Sequence, residues 1–122
     1  MATRASCRRR QVRFRIPAEV SAAVEFEHHG RAASLELFDI GGAGLSFLAL
    51  PGELPAVDSG AKIRPARIRI GDCTIGGELV IMHVTRRDDA RLLCGALFYP
   101  GNDTDLKMLK SLIAGIQAAS AS

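Results

Sequence analysis

Tryptophan is absent from this chain, and one Tyr and five Phe supply all of its aromatic bulk. A core must therefore be assembled mainly from Ile, Leu, Val and Ala. Cysteine is scarce too. Cys7, Cys73 and Cys94 make an odd set with no CxxC pair, so neither a disulfide framework nor a zinc knuckle is indicated. Free thiols suit a reducing compartment, and a cytoplasmic location is expected. No apolar run reaches the roughly 18 residues of a membrane helix. Met1 to Arg15 contains no apolar stretch fit for a signal peptide. No nucleophile elbow or paired-carboxylate motif appears, so the chain does not read as an enzyme. His28 and His29 are adjacent but have no Cys or carboxylate at ligand spacing. They read as a solvated turn, and no metal is expected.

Acidic residues are missing from one end. Residues 1–15 hold Arg4, Arg8, Arg9, Arg10, Arg13 and Arg15 without a single acid, and the net charge of +3 hides a mildly acidic remainder. Such an arm binds phosphate, nucleic acid or acidic lipid, or serves only as a solubilising tail.

The 122 residues suit one domain with a core of its own. Val24 and Phe26 alternate with Glu25 and Glu27, the period-2 pattern of a sheet with one wet face, and predict a strand over 20–27. After a turn at His29-Gly30 a second strand returns over 31–40. Its alternation puts Leu35, Leu37 and Asp39 on one face and Glu36, Phe38 and Ile40 on the other. Further strands are predicted over 45–50, 61–70, 73–85 and 91–99. Pro65 implies an edge or a bulge in its strand, and Gly76-Gly77 a bulge in the next. Leu92, Cys94, Ala96 and Phe98 share one face of the last strand. The period then changes: Leu106, Leu109, Leu112, Ile113 and Ile116 recur as one helix face, with Asn102, Asp103 or Thr104 as cap. Residues 118–122 are expected to fray. Six short strands and one helix predict a mainly β chain, a small antiparallel six-stranded β-barrel with a C-terminal α-helix.

Two segments carry chemistry. Arg8-Arg9-Arg10-Gln11-Val12-Arg13-Phe14-Arg15 supplies guanidinium groups, which fork onto phosphate and stack on flat bases. Asp39-Ile40-Gly41-Gly42-Ala43-Gly44 sets a carboxylate at a strand end beside glycines. That carboxylate can accept from the N1–H and N2–H₂ edge of guanine while glycine lets a base approach the backbone. An Asp before a glycine turn is also an ordinary structural arrangement, so on chemistry alone both readings stand.

These segments resemble the PilZ domain family, small β-barrel receptors for the bacterial second messenger cyclic di-GMP. Arg9-Arg10-Gln11-Val12-Arg13 matches the family's RxxxR motif, with Arg10 in the frequent double Arg. Asp39 to Gly44 matches [D/N]xSxxG, about 26 residues further on. Cys94-Gly95-Ala96-Leu97-Phe98 looks like the family's GxxF strand, and a closing amphipathic helix fits. The likeness runs from about Arg8 to Gln117. One departure stands out: Gly41 replaces the motif Ser. A lost neutral hydrogen bond costs on the order of 1 kcal/mol, about tenfold in affinity.

The resemblance implies a binding module. Arg9 and Arg13, assisted by Arg10, would grip phosphates and stack on guanine. Asp39 would read a guanine edge, and Gly41 and Gly44 would give backbone access. Residues 1–7 are expected to be a flexible segment and 8–118 a single domain, with the arm at 8–15, the barrel at 16–100 and the helix at 103–118. The arm is expected to order on binding and so relay the signal to an output protein in motility, biofilm or polysaccharide control. Two alternatives remain at this level. One is a PilZ-like protein-interaction adaptor that ignores the nucleotide, favoured by Gly41. The other is a small nucleic-acid-binding barrel, disfavoured by the scarcity of aromatics for base stacking.

Overall fold

Alternation of buried and exposed residues, interrupted by bulges, builds the walls of this molecule. In Lys62–Ile70 the residues Ile63, Ala66, Ile68 and Ile70 are buried, while Arg64, Arg67 and Arg69 face water. The computed structural model describes residues 13–28, 30–42, 44–51 and 60–121. It contains β1 (Arg13–Arg15), β2 (Ala22–His28), β3 (Arg31–Gly41), β4 (Leu45–Ala49), β5 (Lys62–Ile70), β6 (Cys73–Arg86), β7 (Leu92–Pro100) and α1 (Asp103–Ala121). The strands are hydrogen-bonded in the order β1-β3-β2-β5-β6-β7-β4, all antiparallel, and β4 pairs back onto β3. Six strands thus close into a barrel, as the sequence predicts.

The seventh strand was not expected. Arg13–Arg15 reads in the sequence as the end of a basic arm, but it pairs with β3 in the register Arg13↔Gly41, Phe14↔Ile40 and Arg15↔Asp39. Phe14 explains why, because it packs against the core while its two Arg neighbours stay exposed. β1 takes over the edge of β3 that β2 leaves after Glu36.

Inside, Phe26 meets Phe47 edge to face, centroids 6.4 Å apart, an arrangement that adds about 0.5–1.5 kcal/mol to simple burial. Ile, Leu, Val and Ala fill most of the remainder, as the lack of aromatics requires. Asn102 caps α1, its Oδ1 accepting from the Asp105 N–H at 2.8 Å. The helix rests on β1, β6 and β7 through Leu109 and Ile116, with Met108, Leu112 and Ile113 half-buried. Leu106 is an exception to the predicted face; it stays 37% exposed at the rim of the contact. The helix also continues to Ala121, past the expected fraying point.

Three irregularities correct the sequence reading. Pro65 lies on a strand paired on both sides, so it marks a bulge and not an edge: the β5–β6 register shifts between Ile63 and Ala66. The β5–β6 ladder runs regularly through Gly76 and Gly77; the bulge of β6 comes later, between Ile81 and His83, where Met82 is the extra residue against β7. In β3 the register against β4 shifts between Leu37 and Asp39. Phe38 is the extra residue there, and it reverses the alternation beyond it. Ile40 joins Leu35 and Leu37 in the core, and Asp39 turns to the outside. Simple alternation places Asp39 with Leu35 and Leu37, and the bulge overturns this.

Candidate functional site

The Phe38 bulge is what makes a site possible, because it delivers a carboxylate to the outer face of the barrel. There Asp39 is opposite Ser46 of β4 and Arg15 of β1. The Ser46 hydroxyl donates to Asp39 Oδ1 at 2.6 Å, in the range of a charge-assisted bond. Ser46 is 1% exposed, the one buried polar side chain among the described residues. Arg13 Nη1 lies 3.8 Å from the same carboxylate oxygen, with the Arg side chain 37% and the Asp side chain 19% exposed. A long, half-solvated pair of this kind is worth at most about 1 kcal/mol. The guanidinium is therefore held loosely beside Asp39 and remains free to turn toward an incoming anion.

Arg13 and Asp39, far apart in the chain, are brought together. Gly41 sits at the end of β3, paired with Arg13, and its N–H donates to the Gly44 carbonyl at 2.8 Å across the glycine turn. Gly44 has a packing reason for being glycine: a Cβ there would come 2.7 Å from the Ala96 carbonyl of β7. Arg9, Arg10 and the rest of residues 1–12, Cys7 among them, lie outside the described residues, as do His29, Ala43 and residues 52–59.

Sequence reasoning missed several neighbours. Ser46 is the main one; its only signal was a lone hydroxyl in the apolar run Leu45-Ser46-Phe47-Leu48. Arg15 places its guanidinium 3.8 Å from the centroid of Phe38, and Arg87, from the β6–β7 turn, places its own at 5.1 Å from that ring. A cavity of about 420 Å³ opens beside them, lined by Arg15, Pro17, Ser21, Glu36 and Phe38. Cys94 is buried in the core, and burial pushes its thiol up from 9.0 to about 11. Among the described residues, no cluster of His, Cys, Asp and Glu could hold a metal ion. No helix among them is long and apolar enough to cross a membrane.

No family model matches the sequence, and no curated protein matches it. Solved structures do. K. pneumonia MrkH in complex with c-di-GMP superposes with a TM-score of 0.82 at 18% identity, covering 92% of this chain and 52% of that one. The c-di-GMP-bound PilZ domain of YcgR from Escherichia coli matches with a TM-score of 0.72 at 15% identity, over 93% of this chain and 94% of that domain. The chain has the PilZ fold. Bacillus subtilis MotI/DgrA, an inhibitor of motility, matches with a TM-score of 0.73 at 14% identity, over 92% of this chain and 52% of its own. The chain thus spans about half the length of the MrkH and MotI/DgrA chains.

Proposed function

We propose that this chain is a cyclic di-GMP receptor module with no catalytic step. The observation that carries this reading is the pairing of Arg13 with Asp39 on the outer face of a PilZ barrel. A guanidinium and a carboxylate within 4 Å of each other, both part-exposed, offer the two functions a guanine nucleotide needs. One is a cation for phosphate; the other is an acceptor for the paired N–H donors of guanine. In the bound state Arg13 swings from Asp39 to phosphate, joined by Arg9 and Arg10, and Asp39 is released to read the base. Ser46 keeps the carboxylate in place during that exchange. Adenine presents an unprotonated N1 to Asp39 and is rejected, since an acceptor would face an acceptor.

Residues 8–118 act as the binding unit, and ordering of the arm over the nucleotide alters the surface shown to an output protein. Control of motility, biofilm or polysaccharide is the process this relay serves, in a cytoplasmic setting.

Gly41 favours a second reading, an adaptor that works through protein contacts alone. Calorimetric titration decides between them, with cyclic di-GMP as ligand and cyclic di-AMP, GTP and a single-stranded oligonucleotide as controls. The receptor reading expects heat with cyclic di-GMP in preference to all three. No heat at high micromolar cyclic di-GMP refutes it and leaves the adaptor. Tighter binding of the oligonucleotide refutes both.

A further inference from the structure

Asp39 is one end of a row that crosses four strands. Asp39 on β3 is opposite Ser46 on β4, Ser46 is opposite Gly95 on β7, and Gly95 is opposite His83 on β6. The rows on either side, Leu37-Phe47-Cys94-Val84 and Ile40-Leu45-Ala96-Ile81, begin with core residues, so this row points outward. Both of its ends are set by bulges. Phe38 turns Asp39 outward, and Met82 does the same for His83. Bulges that re-aim a side chain are common beside functional sites.

The two end residues lean toward each other over the small residues between them. Asp39 bonds to the Ser46 hydroxyl. The His83 imidazole lies across Gly95, its Cε1 and Cδ2 at 2.5 and 3.1 Å from the place a Gly95 Cβ would take. Gly95 is buried beneath the exposed His83. The carboxylate thus sits over β4 and the imidazole over β7, neighbouring strands about 5 Å apart. A flat group bonded edge-on to Asp39 and extending away from β1 would have the His83 ring as its next neighbour along this row.

We propose that His83 is part of the nucleotide site, the ring against which the base read by Asp39 stacks. This rests on the receptor reading above and adds a specificity residue outside both Arg- and Asp-bearing segments. Gly95 has its own part: with no side chain, it leaves free the space over the sheet that the imidazole takes.

The test titrates the full chain with cyclic di-GMP while recording the melting temperature of each ligand-free variant. His83→Ala is expected to weaken binding about tenfold, the loss typical of one base–aromatic contact, with the melting temperature little changed. His83→Phe keeps a ring and is expected to retain most of the affinity. Gly95→Ala leaves His83 in the chain but pushes its ring off the sheet, and is expected to weaken binding as well. Nuclear Overhauser contacts between the His83 ring and guanine H8 complete the expected result. Binding by the wild type with undiminished affinity in His83→Ala overturns the inference and spares the receptor reading. Equal losses in His83→Ala and His83→Phe overturn the stacking role. No binding by the wild type overturns the receptor reading and His83's place in it together.

Discussion

Ser46→Ala isolates the bond on which the candidate site depends. The substitution removes one hydroxyl from a residue that is 1% exposed and leaves a methyl group of similar bulk. A hydrogen bond to a charged group contributes about 1.5–3 kcal/mol. The lower part of that range applies here, because Asp39 is 19% exposed and water can reach the vacated oxygen. Arg13, at 3.8 Å, supplies little compensation. An expected loss of about 1–2 kcal/mol corresponds to a fall of roughly 4–8 °C in melting temperature for a domain of this size. The carboxylate also loses its anchor, so cyclic di-GMP affinity falls about three- to tenfold as Asp39 samples other rotamers. Thermal denaturation and calorimetry on Ser46→Ala, Asp39→Asn and the double variant form a cycle with a coupling of about 1 kcal/mol or more. Independent, additive effects in that cycle would refute the reasoning, as would a Ser46→Ala protein with unaltered melting temperature and affinity.

Other expectations follow from single observations. Gly41 belongs to a strand and, unlike Gly30, Gly60 and Gly71, is not among the glycines with positive φ. Gly41→Ser should therefore be tolerated and should tighten cyclic di-GMP binding by about tenfold, read by calorimetry. Gly44→Ala forces a Cβ against the Ala96 carbonyl and should cost about 1–3 kcal/mol in denaturant unfolding. Arg9→Ala with Arg13→Ala should lower affinity by roughly two orders of magnitude, while the ligand-free melting temperature moves little, since Arg13 is exposed and its ion pair is weak. The raised pKa of Cys94 sets a sign: the unfolded thiol ionises first as pH passes 9.0, so this group lowers stability from there up to about pH 11. The loss should be smaller in Cys94→Ala when both proteins are melted across that range.

Much of the barrel was legible in the chain. The strands of β2, β5 and β7, the cap and the helix all followed from local patterns, because alternation and capping are properties of neighbouring residues. Chemistry and the family resemblance single out Arg13 and Asp39, and the fold brings these two together. What escaped depends on residues distant in sequence. The bulge at Phe38 exists because β3 must keep both Leu37 and Ile40 inward against β4, and only the pairing register reveals this. Without it Asp39 would point into the core, where a carboxylate is untenable. His83 needed the Met82 bulge and the identity of its partner Gly95, neither of which any local pattern announces. β1 was missed for the opposite reason: three residues with two Arg carry too little apolar signal, although Phe14 alone is enough to dock them.

The most direct measurement is a backbone amide titration of isotopically labelled protein with cyclic di-GMP, followed residue by residue. The account predicts saturable shifts clustered at Arg13–Arg15, at Asp39–Ser46 and at His83 and Gly95. Residues of β5 on the far wall of the barrel should stay still, and cyclic di-AMP should leave the spectrum unchanged. Shifts confined to another face, or a spectrum indifferent to saturating cyclic di-GMP, would contradict it.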